Sequence, residues 1–146
     1  MIFKLLFFVF PLIVSCQSIV VGSIVEKSKS ARPSWVGRVS IWDNGYELAC
    51  VSKYESKEDL PKSIKEAQIK AKLSCDNKVA AYYLSNNKKL SYKYTEKDIS
   101  LQLQNCSEKC SKISDMYFEK IAESSNLYSY ATYIKMAYPR TYKIYR

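Results

Sequence analysis

Apolar and polar residues follow two different rhythms along this chain. Between Arg38 and Val51 the pattern alternates, with Asn44-Gly45 set between two β-rich runs. Asn-Gly in that setting predicts a tight hairpin. A two-residue loop would place Asp43 opposite Tyr46, Ile41 opposite Leu48 and Val39 opposite Cys50. Side chains alternate across a strand, so Val39, Ile41, Leu48 and Cys50 would share the core face. From residue 59 the period becomes four. Ala67, Ala71, Cys75 and Val79, extended by Ile64 and Tyr82 or Tyr83, draw an apolar stripe along a helix over residues 59–84. Asp59 or Ser56 is placed to cap it, Pro61 fits its first turn, and Ser85-Asn86-Asn87 stops it. Lys62, Lys65, Glu66, Lys70, Lys72, Asp76 and Lys78 fill most of the remaining circumference.

The second half is read the same way. Leu90 to Tyr94 is a short strand candidate, with Tyr92 and Tyr94 on one side. Residues 97–111 fit two periods: Ile99, Leu101 and Leu103 alternate, while Ile99, Leu103, Cys106 and Cys110 share a helical face. The polar residues Glu96, Asp98, Gln102, Gln104, Glu108 and Lys109 favour a helix. Residues 112–122 and 127–138 predict a second hairpin turning around Ser124-Ser125-Asn126, with Tyr128, Tyr130, Thr132, Ile134 and Met136 on one face. Pro139 to Arg146 reads as a basic, Tyr-rich strand end or tail. The order of hairpin, helix, strand, helix and hairpin predicts an α+β fold: a mainly antiparallel sheet with one or two helices packed on one face.

The N-terminus follows neither rhythm. Met1-Ile2-Phe3-Lys4 precedes an apolar run from Leu5 to Val14, and Ile13-Val14-Ser15-Cys16 follows at once. That is the layout of an export signal, and its end resembles a bacterial lipobox. In such signals the Cys thiol is diacylated and the peptide is cut just before it. Cys16 is thus the expected lipidation site, and two acyl chains give stable anchoring where one is marginal. The expected organisation is a signal peptide over 1–15, a lipidated N-terminus and tether over 16–31, and a single α+β domain over 32–146. Two alternatives remain. Leu5 to Val25 carries no charge and is long enough to span a membrane, and a plain secretory cut after Cys16 or Ser23 would release the protein. All three place the folded part outside the cytoplasm.

Composition narrows the chemistry. With no His among 146 residues, Ser-His and Cys-His nucleophile pairs and His-ligated metals are excluded. Three Gly and no Gly-rich phosphate motif point to no nucleotide cofactor, and no cofactor of any kind is expected. The net charge is +9, and removing residues 1–15 takes away one Lys and no acid. The cations are mostly Lys rather than the Arg that base readout favours, and export argues against nucleic acid. Lipid headgroups, lipopolysaccharide, wall polymers or host glycans are the expected acidic partners, with a merely solvated Lys-rich surface as the alternative.

Setting Cys16 aside leaves Cys50, Cys75, Cys106 and Cys110, an even number in an oxidising compartment. Three pairings are open. Cys50 and Cys75 both fall on predicted core faces, where a disulfide would staple helix to sheet and stabilise by roughly 3 kcal/mol; buried free thiols are the alternative. Cys106 and Cys110 are poorly placed for a bond within a regular helix, but a frayed turn would let them close a small loop. A four-thiolate zinc site lacks any CxxC pair, and no metal is expected. Asp115 and Glu119, close to aromatics on one strand face, are the carboxylates that glycan hydrolysis would use; no enzymatic activity is expected. The Tyr- and Lys-rich surface offers a second role, an adhesin for acidic glycans or host ligands.

Several segments taken in order resemble the Lpp-twenty-type outer-membrane lipoprotein family. They are Pro33-Ser34-Trp35-Val36 soon after the lipidated N-terminus, a strand around Gly45-Tyr46 leading into a helix with Ala at four-residue spacing, Asp115-Met116-Tyr117-Phe118-Glu119-Lys120, and Tyr130-Ala131-Thr132-Tyr133-Ile134-Lys135. The resemblance covers residues 32–136. It departs at Ala49-Cys50, where the family often has Val-Gly, and in the four extra cysteines. It implies a small, often antigenic envelope lipoprotein without established catalysis; related domains occur in outer-membrane ring proteins of flagella. Of the functional residues only Cys16 carries over. Gln17 after the Cys is not the Asp that retains lipoproteins in the inner membrane, which favours the outer membrane. The expected partners are the membrane, through the acyl chains, and other envelope proteins or acidic polymers.

Overall fold

The structure, a computed structural model, describes residues 20–106 and 108–143. The expected signal peptide over 1–15, the expected lipidation site Cys16 and Tyr145 lie outside the described residues. The fold is α+β: a five-stranded antiparallel sheet with a long helix packed against it. The strands are β1 (Ile24–Lys27), β2 (Trp42–Asp43), β3 (Leu48–Ser56), β4 (Lys112–Ala122) and β5 (Tyr128–Tyr138), in the spatial order β1-β4-β5-β3-β2.

The helix α1 (Leu60–Asn86) forms where the Ala stripe predicts it. The Asp59 side chain accepts from the Lys62 amide at 3.0 Å, and Pro61 sits in the first turn. Ala67, Ala71, Cys75 and Val79 are fully or almost fully buried against β3 and β5. Small side chains at that spacing bring the helix close to the sheet. Asp76, expected on the polar circumference, is completely buried. The reason is that α3 (Glu96–Asn105) packs beside α1 and encloses a second flank of it. The helical reading of residues 97–111 holds as far as Asn105. Thr95 and Asp98 form a reciprocal capping box that fixes the helix start, which an alternating strand could not use.

Three expectations give way to local hydrogen bonding. Leu90 to Tyr94 is not a strand. The Asn87 side chain accepts from the Leu90 amide and starts the one-turn helix α2 (Lys88–Ser91); the Lys93 and Tyr94 amides then close onto the Leu90 carbonyl. The first hairpin turns through four residues, not two, so Asp43 faces Leu48 and Trp42 faces Ala49. The Asn44 side chain accepts from the Tyr46 and Glu47 amides, and Asp43 accepts from Gly45, whose φ is +93°. The shift is an even number of residues, so faces are preserved: Leu48 and Cys50 are buried and Ile41 packs beside them. Val39 is 84% exposed, because β2 is only two residues long and ends before reaching it. Finally, the segment read as a tether contains β1. The Gly22 amide donates to Ala122 at 2.7 Å, and Ile24–Lys27 pair antiparallel with β4. β-Branched Ile24 and Val25 suit a strand, and β4 offers them a free edge.

The central strands β3 and β5 are covered on both faces. Under α1 lie Leu48, Cys50, Ile134, Met136 and Tyr138, in one core with Ile99 and Leu103 of α3. On the opposite face Trp35 and Val36 cover Val51, Tyr117, Ala131 and Tyr133. Thr132 faces the helix side with 0% exposure, and its hydroxyl has no partner among the described residues. Thr132→Val keeps the shape and removes that unpaired group, so it is expected to raise stability by about 1 kcal/mol. Thermal unfolding of the oxidised protein checks this; an unchanged or lower Tm would show that the hydroxyl is satisfied in solution.

Candidate functional site

The segments singled out in the sequence converge on the outer face of the sheet. The Trp35 indole N–H donates to Asp115 at 3.0 Å, and Lys29 forms an ion pair with the same carboxylate at 2.6 Å. Arg32 lies 3.4 Å from Glu119 and donates to the Tyr133 hydroxyl at 3.2 Å. The Tyr117 hydroxyl donates to Glu119 at 3.1 Å. Asp115 and Glu119 do share a face, as expected from β4. Each is engaged by a cation of the segment ahead of β2, however, so together they clasp that segment across the sheet.

Their electrostatics fit this role. Burial pulls the Asp115 carboxyl upward, but Lys29, the Met116 amide and Trp35 outweigh it and hold it below the ordinary carboxylate value. A general acid needs the opposite displacement. Burial, then the bond to Glu119, pushes the Tyr117 phenol up. A lowered folded-state value means that the clasp contributes stability above the unfolded carboxylate range and loses it as pH falls through the folded value. Asp115→Asn is therefore expected to be less stable than the parent at neutral pH, with the gap closing in acid. Unfolding midpoints measured across pH check this. The Asp115 side chain is 35% exposed, so added salt should shrink the neutral-pH gap as well.

The four described cysteines form two disulfides. Cys50–Cys75 joins β3 to α1 with Cα atoms 5.9 Å apart, and Cys106–Cys110 closes the turn after α3 with Cα atoms 5.8 Å apart. The second bond forms because α3 ends at Asn105 and Cys106 adopts an extended conformation. All four sulfurs are spent in these bonds, which removes the four-thiolate zinc alternative. Among the described residues no group of three or more His, Cys, Asp or Glu is placed to hold a metal ion.

Two features escaped the sequence reading. One is a buried polar network. Asp76 accepts from the Tyr138 hydroxyl at 2.7 Å and pairs with Lys72 at 3.0 Å. Lys72 also donates to the Leu103 carbonyl and to Ser111, which ties α1 to the end of α3 and the start of β4. Burial and the neighbouring Asp76 charge drive the Tyr138 phenol far above its usual range. A Lys–Asp pair four residues apart, with the Asp next to a core Cys, was the available signal.

The other feature is a groove of about 730 Å³ between α1 and the start of β4. The helix lies over β3 and β5 and leaves the helix-side face of β4 uncovered. Ile69 and Leu73 of α1 and Ile113 of β4 line it, and each is close to half exposed or more. Lys72 and Ser111 of the network line it too, beside Cys106 of the second disulfide. Its size and apolar lining suit a small-molecule or side-chain ligand. Ile69 and Leu73, four apart and off the Ala stripe, mark it in the sequence.

The Tyr- and Lys-rich surface divides between both faces. Arg38 and Lys135 stack on Trp42, Arg32 and Lys53 on Tyr133, and Lys120 on Tyr128 at 4.4 Å. These ring faces are covered by the protein's own cations. Tyr142 packs against Tyr83 and Tyr94. Among the described residues no helix is long and apolar enough to cross a membrane. No protein-family model, curated protein or solved structure matches this chain.

Proposed function

We propose that this protein is a lipid-anchored envelope protein of the Lpp-twenty type, held to the outer membrane through Cys16, whose α+β domain binds a partner and performs no catalysis. The observation that carries this reading is the pair of disulfides. Such bonds persist in oxidising compartments, and they stand behind an N-terminal stretch with the layout of a lipoprotein signal. The carboxylates that hydrolysis would need are occupied in the clasp, while the groove at Ile69 and Leu73 offers an apolar surface to a ligand.

The test is the intact mass of protein extracted from membranes, alkylated with and without prior reduction. The expected mass is that of residues 16–146 plus acyl chains, with alkylation only after reduction. An unacylated mass that retains residues 1–15 would replace the lipid anchor by a spanning segment. For the groove, the apolar, anionic dye 1-anilinonaphthalene-8-sulfonate should bind one site and lose at least about tenfold in affinity in Leu73→Glu, which removes apolar surface and repels the sulfonate. Equal binding to both proteins would remove the groove from the proposal.

A further inference from the structure

The sheet leaves one long edge open. β3 keeps an unbroken antiparallel register with β5 from Leu48 to Ser56, yet β2 covers its other edge only at Leu48 and Ala49. From Cys50 to Ser56, among the described residues, no strand pairs on that side. Backbone amides and carbonyls along a regular strand are strong hydrogen-bonding groups in search of partners. β4 is different: its register slips between Ile113 and Asp115, an irregularity of the kind that blunts an edge.

Alongside the open part of β3 runs a cleft of about 300 Å³. Gly37, Arg38 and Val39 form one wall, Val51 and Lys53 the other, and Lys78 of α1 stands at its side. Three cations line it and no carboxylate does. Among the described residues neither Arg38 nor Lys78 enters a salt bridge, and Lys53 is paired only with exposed Glu55. Val39 stands exposed on the rim, available to cover an apolar side chain.

We infer that this edge is a docking site for an extended acidic segment of a partner protein, which adds a strand beside β3. Backbone pairing with Val51–Ser56 would supply affinity, and Arg38, Lys53 and Lys78 would select for acidic side chains. A second copy of the chain is a poorer occupant, because each copy carries a net charge of +9, or +8 once residues 1–15 and their one Lys are removed. The site is separate from the groove and stands whether or not Cys16 is acylated.

The experiment uses the native protein with both disulfides formed and a short fluorescent peptide that alternates aspartate with valine. Fluorescence anisotropy should report saturable binding. Lys53→Glu combined with Lys78→Glu should weaken it at least about tenfold, with the circular dichroism of the fold unchanged. The same peptide with N-methylated backbone amides should fail to bind, because charge alone does not add a strand. Equal binding of the methylated peptide would reduce the site to a cationic patch and overturn the proposal. So would binding of a sulfated polysaccharide with none of the peptide, or a dimer in sedimentation that dissociates when Lys53 and Lys78 are changed.

Discussion

Removing the Cys50–Cys75 bond, by changing both residues to alanine, is expected to cost the domain about 3 kcal/mol of stability. The bond closes a loop with a sequence separation of 25, so its loss returns considerable freedom to the unfolded chain. The folded side of the balance points the same way. The helix meets the sheet largely through alanines, Ala67, Ala71 and Ala80 among them, and each alanine buries little apolar area. A helix attached by small side chains depends more on its covalent staple than one attached by leucines. The corresponding change at Cys106 and Cys110 should cost distinctly less, since that bond closes a separation of only 4. Denaturant unfolding of the two double variants, followed by far-ultraviolet circular dichroism, compares them directly. Equal losses would contradict the loop-length argument. Under mild reductant Cys106–Cys110 should open first, because Cys50 and Cys75 are 1% and 0% exposed.

Lys72→Met should be as damaging, at about 3 kcal/mol. Asp76 is completely enclosed, and its carboxylate is held by one phenol and one ammonium. Methionine keeps most of the Lys72 stem but removes the charge, which leaves Asp76 with Tyr138 as its single side-chain donor among the described residues. Lys72 itself has 34% of its side chain exposed, so the reverse deletion does not strand a buried cation. The same residue also satisfies the Leu103 carbonyl, and that tie between α1 and α3 is lost with it. The double variant Lys72→Met/Asp76→Leu should recover part of the loss, because replacing a buried ion pair by apolar groups of similar volume is often near neutral. Chemical unfolding of the double variant and of both single variants, Lys72→Met and Asp76→Leu, gives the answer. A double variant at least as unstable as the sum of the single changes would show that the network is held by packing and not by charge.

These two predictions rest on residues of unequal legibility. Cys50 and Cys75 could be placed on facing surfaces from period alone, because strand and helix rhythms in this chain are clean and both residues fall on them. Asp76 could not, because its burial depends on α3, a neighbour whose position no local pattern encodes. The strand expected at Leu90 failed for a different reason. Alternating tyrosines mimic a strand, but an Asn side chain three residues ahead of Leu90 offered its amide a nearer partner. Asn44 likewise lengthened the first turn, and the even shift spared the faces. Of the site, the clasping residues Trp35, Asp115 and Glu119 were visible as motifs, though not their partners. Lys29 stood in a stretch whose composition suggested a tether, and Arg32 just past its end. The groove and the open edge are gaps between elements, and gaps follow from where a helix is laid, which is a property of the whole packing.

The bond from the Gly22 amide to Ala122 fixes where the chain joins the sheet. Between Cys16 and Gly22 lie six peptide steps, which reach at most about 20 Å when fully drawn out. If the thioether lipid sits in a bilayer leaflet as proposed, this domain is moored and not leashed. It would stay within roughly one of its own radii of the headgroups, with the β1 edge turned toward them. Every partner it meets would then be another resident of the same thin layer.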